Sequence, residues 1–436
     1  MENKYALLTF GCQMNIHDAE HIRGVLDAAG WSESGLEEAG AVVLLTCCVR
    51  ESAEQRLYGR LSSLKTLKEE KGTLIAVGGC LAQKEGLSLM ERAPYVDLVF
   101  GTHQYPHIAV LLSQAASGGV CETTMNGVWI SGVPFRRHEA FRAWVTITHG
   151  CDNFCSYCIV PYVRGSEKSR SMEDVKLEVG AHVAEGVKEI NLLGQNVNSY
   201  RRKEEGTSRF ADLLRLLGQD YPEPWIRFTT SHPRDFNVGI IAAIAETENV
   251  CEYVHLPLQA GSDRILSAMN RGYGRADYLK KVEELRRMVP GVSLSTDLIV
   301  GYPGEREDDF LATLEMVELC RFDAAFTFLY NPRNGTTAAR LADDIPAAIK
   351  HERLNRLMEA TRRLTSCSLQ GEVGTVQTVL VHGPSRKDPQ RWSARTRNNK
   401  LVHFERGNTE LSGRFARVRI ESAGNWSLYA ELEDLP

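Results

Sequence analysis

Three cysteines, Cys151, Cys155 and Cys158, are separated by three and two residues in the segment His149-Gly-Cys-Asp-Asn-Phe-Cys-Ser-Tyr-Cys158. Thiolates this close together on one loop can bind three corners of a cubic 4Fe-4S cluster, and the segment contains no fourth cysteine. One iron of such a cluster would keep an open position for a further ligand. A zinc site is the alternative, but structural zinc usually takes four ligands. The spacing therefore favours an iron–sulfur cluster.

The same segment resembles the cluster motif of the radical S-adenosylmethionine (SAM) superfamily, including an aromatic residue before the last cysteine. The resemblance implies that the reduced cluster passes one electron to SAM, which is cleaved to methionine and a 5′-deoxyadenosyl radical. Later segments match the places where the superfamily binds SAM. The candidate SAM-binding residues are Tyr157, Gln195, Asn196, Ser231, Gln259 and Asp297. Polar residues after strands are also common helix caps, which is the alternative for each of them.

Three further cysteines, Cys12, Cys47 and Cys80, each follow a predicted strand. Loops after the carboxyl ends of parallel strands form one crevice, so these thiols could converge. Their motifs, Phe10-Gly-Cys-Gln-Met-Asn15, Thr46-Cys-Cys-Val-Arg-Glu51 and Gly78-Gly-Cys-Leu-Ala-Gln83, resemble the N-terminal domain of the methylthiotransferases. The resemblance implies a second, auxiliary 4Fe-4S cluster that holds or donates the sulfur to be transferred. Buried core thiols are the alternative.

The adjacent cysteines Cys47 and Cys48 have to be distinguished. The family pattern reads Asn-Thr-Cys followed by Ser or Ala, so Thr46 aligns Cys47 as the cluster ligand. Leu45 and Cys48 depart from that pattern. We therefore expect that Cys48 does not bind the cluster.

The resemblance to the methylthiotransferase family covers essentially the whole chain. The branch of that family called MiaB is the most similar, through Gly11-Cys-Gln-Met-Asn15, Ile159-Val-Pro-Tyr-Val-Arg-Gly165 and Leu193-Gly-Gln-Asn-Val-Asn-Ser-Tyr200. This resemblance implies addition of a methylthio group to carbon 2 of N6-isopentenyladenosine at tRNA position 37, next to the anticodon. Two SAM molecules would be used, one as the methyl donor and one as the source of the radical.

Two kinds of rival function stay open at this point. One is methylthiolation of another target, either threonylcarbamoyladenosine in tRNA or an aspartate of a ribosomal protein. The other is a non-enzymatic iron–sulfur carrier or RNA-binding protein. For the enzyme, the resemblance implies an electron donor such as flavodoxin or ferredoxin, and iron–sulfur assembly or carrier proteins, as partners.

The elements that must position these residues follow from hydrophobic periodicity. Alternating strands and helices predict a Rossmann-like parallel α/β domain over 1–116 and a partial (β/α)6 TIM-type radical SAM barrel over 141–366, joined by a linker over 117–140. Short β-like runs over 367–436 predict a small C-terminal antiparallel β-barrel, which resembles the TRAM domain. The predicted strands are 5–10, 41–46, 73–77, 96–100, 143–148, 189–193, 226–230, 253–256, 293–300, 324–330, 373–381, 401–405, 415–420 and 427–432, with a helix over 349–366.

The charge of the 436-residue chain is −5, which argues against nucleic-acid binding by the whole surface. Residues 385–419, however, hold ten Lys or Arg against three Asp or Glu. The candidate RNA-binding residues are Arg164, Arg170, Arg395, Arg397 and Lys400, with salt bridges as the alternative for the first two. No run of eighteen apolar residues occurs, and eleven cysteines suit metal binding in a reducing compartment, so a cytoplasmic location is expected.

Overall fold

The chain begins with a six-stranded parallel sheet in the order β2-β1-β3-β4-β5-β6. The computed structural model describes residues 3–48, 51–125 and 132–435, and leaves out the side chains of residues 51–53. The central strands β3 and β4 are buried along their whole length, as is typical of a parallel sheet covered on both faces. The elements of this part are β1 (Lys4–Phe10), α1 (Gln13–Ala28), β2 (Ser32–Glu33), β3 (Ala41–Thr46), α2 (Glu51–Lys71), β4 (Leu74–Gly79), α3 (Cys80–Glu85), α4 (Leu87–Arg92), β5 (Leu98–Phe100), α5 (Ile108–Ala115) and β6 (Val120–Glu122), with 3-10 turns at Leu36–Glu38 and Tyr105–His107.

The segment predicted as a linker, 117–140, contains a strand near its start, so the part without secondary structure begins later than expected. Strand β6 lies within it and pairs in parallel with β5, so it belongs to the first sheet. A strand of three residues is too short to give a periodic signal in the sequence. Residues 126–131 lie outside the described residues. After them the chain packs on α1, where the Arg136 N–H donates to the Glu20 carbonyl at 2.9 Å.

The middle of the chain forms six parallel strands alternating with helices, which confirms the predicted partial barrel. They pair as β7-β10-β11 and β12-β13-β14, and a single parallel bridge between Ile226 and Val250 connects the two groups. The short strands β8 and β9 pair beside the cysteine loop. The elements are β7 (Arg142–Thr146), β8 (Thr148–His149), α6 (Val160–Arg164), β9 (Lys168–Ser169), α7 (Met172–Ala184), β10 (Glu189–Leu193), α8 (Arg202–Glu205), α9 (Phe210–Asp220), β11 (Trp225–Phe228), α10 (Val238–Glu246), β12 (Tyr253–His255), α11 (Asp263–Ala268), α12 (Arg275–Met288), β13 (Ser293–Val300), α13 (Glu307–Cys320) and β14 (Ala324–Leu329), with 3-10 turns at Val197–Ser199 and Ala338–Arg340.

A long helix, α14 (Ala347–Gln370), connects the six strands to the C-terminal part. It confirms the predicted helix and extends it at both ends. Charged residues recur along it, and its buried side, which includes Leu357, packs against the strand β14. No helix in the described part of the chain is both long and apolar enough to cross a membrane.

The C-terminal part is a closed barrel in the order β15-β16-β17-β19-β18. Four neighbouring pairs are antiparallel, which confirms the predicted antiparallel barrel, and the fifth pair, β17 with β19, is parallel. A closed ring with an odd number of strands cannot alternate in direction at every step, so one parallel pair is unavoidable. The strands are β15 (Val376–Pro384), β16 (Arg391–Thr396), β17 (Leu401–Glu405), β18 (Phe415–Ala423) and β19 (Leu428–Asp434).

Buried hydrogen bonds fix this barrel to the six-stranded parallel barrel. Arg227 on β11 donates to the carbonyl oxygens of Thr396 and Arg397 at 2.8 and 2.7 Å, and its Nε pairs with Glu189 at 2.7 Å. The Arg397 guanidinium in turn pairs with Glu252 at 2.7 Å. The barrel is therefore attached through defined polar contacts and not only through α14.

Candidate metal centres

Strand register brings the three N-terminal cysteines to one edge of the first sheet. Phe10 is the register partner of Thr46, and Thr46 is the partner of Gly79. These three residues therefore lie side by side, and each stands one or two positions before a cysteine. Gly79 has a φ of +91°, and a Cβ on it would lie 2.6 Å from the Thr46 carbonyl oxygen. Only glycine permits this close approach, which lets the chain turn directly into the cysteine at the start of α3.

The thiols of these loops contact each other in pairs. A hydrogen bond from Cys47, with burial opposing it and Arg164 nearby, lowers the pKa of Cys12 to about 6. A hydrogen bond from Cys48, again opposed by burial, lowers the pKa of Cys80 to about 7. Cys12 also occupies the N-cap of α1, where the helix dipole favours a thiolate. Ionised thiols are the form in which cysteine binds iron.

Cys48 lies in the same group, with 1% of its surface exposed. Its hydrogen bond to Cys80 and its burial raise the pKa of Cys48 well above the ordinary thiol value. Cys48 thus donates to Cys80 as Cys47 donates to Cys12, so these contacts do not separate the two neighbours as ligands. Its role stays a prediction, and we call Cys12, Cys47 and Cys80 the auxiliary group.

The second group, Cys151, Cys155 and Cys158, lies on the loop after β7 and β8. Gly150 has a φ of +78°, and a Cβ on it would lie 2.3 Å from the Ser166 carbonyl oxygen, so glycine is required before the first cysteine. The Cys151 N–H donates to the Gly165 carbonyl at 3.1 Å. Burial raises the pKa of Cys151 to about 11 and that of Cys158 to about 12, so ionisation here requires a positive partner such as cluster iron.

A buried arginine that the sequence analysis missed contacts the second group. Arg271 Nη1 lies 3.2 Å from Cys155 Sγ and 3.3 Å from the Tyr157 hydroxyl. His232 Nε2 approaches the same sulfur at 3.9 Å. Arg271 lies in a turn between two helices, without any spacing relation to the cysteines, so no sequence pattern indicates it.

Several predicted SAM-binding residues have buried polar atoms without a hydrogen-bond partner in the described structure. These atoms are Gln195 Oε1, Asn196 Oδ1 and Ser231 Oγ, and they follow β10 and β11. Native proteins rarely leave such atoms unsatisfied, and a polar ligand is a common explanation. Asn196 is held from its other end, where Nδ2 donates to Asp235 at 2.7 Å. These two amide oxygens and the hydroxyl fit a small polar cofactor that offers hydrogen-bond donors.

The remaining predicted SAM contacts lie on the other half of the barrel. Gln259 is buried with a φ of +71°, and its N–H donates to the Asp297 carbonyl at 2.9 Å. The Asp297 carboxylate lies 3.3 Å from His255 Nε2. Their contribution to a ligand site stays a prediction.

The basic residues predicted to contact RNA are engaged inside the protein. Arg164 is 2% exposed and pairs with Asp18 at 2.9 Å, and Arg170 is 8% exposed and pairs with Glu178. For both, the salt-bridge alternative is the one that the contacts favour. Of the others, Arg395 donates to the Asn399 carbonyl at 2.7 Å, Arg397 pairs with Glu252 at 2.7 Å, and Lys400 pairs with Glu372 at 2.5 Å. Sequence shows the charge of these residues but not their partners.

Four aromatic residues of the basic C-terminal segment, which could stack on RNA bases, are divided between the barrel core, an interface and the barrel wall. Trp392 and Phe404 are at most 1% exposed and fill the C-terminal barrel. Phe415 packs against Trp225 with ring centroids 4.9 Å apart, at the contact with the six-stranded parallel barrel. His403 is half-buried, 6.1 Å from the Tyr429 ring. Of these four, His403 is the one that lies neither in the barrel core nor at that contact.

Both groups consist of three thiols, and their chemistry suits a cubic cluster with one iron free of protein ligands. In the part of the chain that the structure describes, no three His, Cys, Asp or Glu side chains are spaced around a single ion. A cubic cluster binds each thiolate at a separate corner.

A cysteine triplet after the first strand of a six-stranded parallel barrel defines a radical SAM protein. The family model of the Radical SAM superfamily matches residues 145–317. The models of Uncharacterized protein family UPF0004 and of the TRAM domain match residues 4–101 and 370–432. These three matches cover the first sheet, the barrel and the C-terminal barrel in that order.

Relatives over nearly the full length identify the family. The tRNA-2-methylthio-N(6)-dimethylallyladenosine synthase of Moorella thermoacetica is 46% identical, covering 99% of this chain and 98% of its own. That of Syntrophomonas wolfei is 47% identical, covering 98% and 97%. The chain belongs to the family of tRNA-2-methylthio-N(6)-dimethylallyladenosine synthases.

Solved structures resemble the fold at low sequence identity. The radical SAM methyltransferase TsrM from Kitasatospora setae, with cobalamin and a [4Fe-4S] cluster bound, has a TM-score of 0.59 at 14% identity, covering 78% of this chain and 77% of its own. The cobalamin-dependent SAM radical enzyme OxsB has a TM-score of 0.54 at 12% identity, covering 83% and 56%. The likeness concerns the fold alone.

Replacing Cys151, Cys155 and Cys158 together by Ala should lower the iron content of the reconstituted protein from about eight to about four atoms, because one of two cubic clusters is lost. The variant should form no 5′-deoxyadenosine, since no open iron remains to hold SAM. Iron analysis and chromatography of the SAM products measure both effects. Cys367→Ala, at an exposed cysteine, is the control. Full iron content in the triple variant would show that this group is not a cluster site.

The neighbours Cys47 and Cys48 should behave differently. Cys48→Ser should keep both clusters, because the hydroxyl can replace the thiol as hydrogen-bond donor to Cys80. Cys47→Ala should lose the auxiliary cluster, about four irons. The measurement is iron and sulfide per chain, with the visible absorption of the cluster. Loss of the cluster in Cys48→Ser, with retention in Cys47→Ala, would exchange the two assignments.

Proposed function

We propose that the protein transfers a methylthio group to carbon 2 of N6-isopentenyladenosine at tRNA position 37, next to the anticodon. The observation that carries the proposal is the full-length identity of 46% with a synthase named for this product, together with cysteines in two separate groups. The alternatives, threonylcarbamoyladenosine and a ribosomal-protein aspartate, are products that the names of the relatives do not include. A carrier without enzymatic activity would not need the unpaired polar atoms at Gln195, Asn196 and Ser231.

In this proposal Cys151, Cys155 and Cys158 hold the 4Fe-4S cluster that reduces SAM. When bound, that cluster supplies one electron and an open iron for the amino and carboxylate groups of SAM. Gln195, Asn196 and Ser231 orient the cofactor through their buried polar atoms. The remaining candidates, Tyr157, Gln259 and Asp297, would complete its surroundings, and Arg271 orients Tyr157 and Cys155 through its two short contacts.

The auxiliary group, in the same proposal, holds a second 4Fe-4S cluster that carries the sulfur. Support comes from the strand register that aligns the three loops and from the lowered pKa values of Cys12 and Cys80. One SAM would donate its methyl group to that sulfur, and the other would provide the radical that removes hydrogen from carbon 2. The reducing electron would come from a carrier such as flavodoxin or ferredoxin, and the clusters from iron–sulfur assembly or carrier proteins.

The exposed basic residues of the C-terminal barrel are the better candidates for tRNA phosphates. Arg414 and Arg417 are exposed at the start of β18, and Arg386 and Lys387 are exposed after β15. Along β18 buried and exposed residues alternate, so Arg417 points outward while Ala416 and Val418 face the core. Single-stranded RNA is commonly bound by such basic surfaces.

The reaction is tested directly with the reconstituted protein, SAM, a reductant and isopentenylated tRNA. Mass spectrometry of the nucleosides should show 2-methylthio-N6-isopentenyladenosine. Parallel reactions with threonylcarbamoylated tRNA and with ribosomal protein should show no methylthio product. Methylthiolation of either of those two substrates in place of the isopentenylated tRNA would overturn the proposal.

The variants Cys12→Ala, Cys47→Ala and Cys80→Ala should separate radical formation from sulfur transfer. Each should still form 5′-deoxyadenosine from SAM, because the other cysteine group is unchanged. None should form the methylthiolated nucleoside, because no activated sulfur meets the substrate radical. Both products are quantified in one reaction, with Cys121→Ala as the control. Methylthiolated tRNA made by Cys80→Ala would contradict the proposal that the auxiliary group holds the sulfur-carrying cluster.

The double variant Arg414→Gln/Arg417→Gln should bind tRNA more weakly and with less salt dependence. Each phosphate that the protein no longer neutralises should reduce the slope of log K against log salt by about 0.7 to 0.9. SAM cleavage should be unchanged, since both side chains are exposed on the C-terminal barrel and not on the six-stranded barrel that carries the cysteine loop. Arg287→Gln, an exposed arginine on α12, is the matched control. An unchanged slope would remove this surface from the interface. Point variants are preferred because deleting the barrel would expose Trp225.

A further inference from the structure

Two exposed aromatic side chains lie beside the loop that carries Cys151, Cys155 and Cys158. Phe154, which stands between the first two of these cysteines, is 51% exposed, and Tyr162 on α6 is 46% exposed. Their ring centroids are 6.2 Å apart, and the ring planes are nearly perpendicular, at 79°. The residues on either side of Phe154 are buried. The ring of Phe154 therefore projects from an otherwise buried stretch of the loop.

The backbone at Phe154 is strained. Its φ is +45°, in the left-handed region that glycine adopts without cost and that a bulky side chain disfavours. Two contacts hold the loop in place: Asn270 Nδ2 donates to the Phe154 carbonyl at 3.0 Å, and the Ser156 N–H donates to the Met269 carbonyl at 3.0 Å. An exposed ring also gains little from burial. Neither the backbone nor packing accounts for a phenylalanine here, and such strained positions are common where a protein contacts a ligand.

Tyr162 is exposed because other side chains fix its helix. Ile159 and Val163 pack into the apolar core of the first sheet, and Tyr162 is left outside that core, in a T-shaped contact with Phe154. The helix α6 follows the cysteine loop and packs against α3, which begins with Cys80. The two aromatic rings therefore lie beside the junction of the elements that carry the two cysteine groups.

The proposed reaction determines what passes over this surface. In that proposal the radical forms at the cysteine loop, so the base to be modified has to enter next to it. The unpaired nucleotides on either side of that base then lie on the surface around the loop. Exposed aromatic rings bind unpaired bases by stacking, since every base has a flat apolar face.

Partly exposed cations lie on the same loop. Arg234 donates a hydrogen bond to the side chain of Asn153, next to Phe154, and Lys203 Nζ lies 3.1 Å from Asp152 Oδ2. Both cationic side chains keep a large part of their surface exposed. Phosphates of a nucleic acid attract such cations. Aromatic rings with cations beside them fit a stretch of single-stranded RNA better than they fit an apolar protein segment.

We infer that Phe154 and Tyr162 form a stacking platform for the unpaired tRNA nucleotides next to the base that is modified. The inference rests on the proposed function, because it takes tRNA as the substrate and the cysteine loop as the place where the radical forms. The platform places the RNA and takes no part in the reaction steps. Sequence analysis did not select either residue, because an aromatic residue near cysteines gives no signal for RNA until its exposure is known.

The test measures the affinity of an isopentenylated anticodon stem-loop RNA for the reconstituted full-length protein. Phe154→Leu and Tyr162→Leu, which replace a ring by a branched apolar side chain, should each weaken binding at least about five-fold, as expected for one lost base–ring contact. Phe154→Tyr and Tyr162→Phe keep the ring and should bind like the parent. Leu319→Ala, at an exposed leucine on α13, is the control. Iron content is measured for every variant, so that loss of a cluster is separated from loss of stacking.

A matched change in the RNA identifies the stacked nucleotide. An abasic nucleotide is placed first on one side of position 37 and then on the other. Phe154→Leu should weaken binding of the intact RNA but have little effect on the RNA that lacks the stacked base, because the two changes remove the same interaction. Equal losses of affinity with the intact RNA and with both abasic RNAs would overturn the inference.

The outcomes separate the inference from the function on which it rests. A parent protein that contains iron but forms no methylthio product from isopentenylated tRNA overturns the proposed function. A parent that forms the product, with both leucine variants binding RNA like the parent, overturns the platform. Faster loss of the cluster in air for Phe154→Leu would then identify the ring as a cover for the cluster. If Phe154→Leu contains less iron, Tyr162→Leu, which lies outside the cysteine loop, decides the question with the same RNAs.

Discussion

Parallel pairing of strands is the constraint on which both cysteine groups depend. In the first sheet, the register from Phe10 to Thr46 and on to Gly79 places three loops level with one another. In the barrel, the same rule sends the loops after β7, β10 and β11 to one end, where the second cysteine group and the polar residues Gln195 and Ser231 lie. Gly79 and Gly150 have positive φ angles, which allow the backbone to turn directly into Cys80 and Cys151. Thiols far apart in sequence become neighbours without any disulfide.

Charge compensation distinguishes the two groups. In the auxiliary group, hydrogen bonds between thiols and the nearby Arg164 lower the pKa values of Cys12 and Cys80 into the neutral range. In the second group, burial raises the pKa values of Cys151 and Cys158, and Arg271 contacts only Cys155. Contacts within the protein thus favour ionised thiols in the auxiliary group, whereas burial disfavours them in the second group.

Sequence was sufficient wherever a local pattern determined the structure. All six barrel strands were predictable because each is an apolar run between helices, and the cysteine loops because their motifs are contiguous. The strand β16 was not, because only two of its six residues, Trp392 and Ala394, are apolar and its third inward residue, Thr396, is polar. The parallel pair of β17 with β19 depends on barrel closure, which no single segment encodes.

Long-range partners account for the rest of what sequence did not reveal. Arg164 and Arg170 look like surface cations in the sequence because Asp18 and Glu178 are not their immediate neighbours along the chain. Arg271 approaches Cys155 because the turn between α11 and α12 lies against the cysteine loop. Cys48 could be separated from Cys47 by alignment, but its hydrogen bond to Cys80 required the register of β3 and β4.

The attachment of the C-terminal barrel has a consequence for binding thermodynamics. Arg227 donates hydrogen bonds to two backbone carbonyls of that barrel, and Trp225 packs on Phe415. The six-stranded barrel and the C-terminal barrel are therefore held together by direct contacts and not by a flexible linker alone. Ordering a free linker on binding would cost entropy, and here that ordering is already complete before any nucleic acid arrives. The interaction energy gained by the outer face of the barrel is then available for holding a bound tRNA at a fixed distance from the cysteine loops.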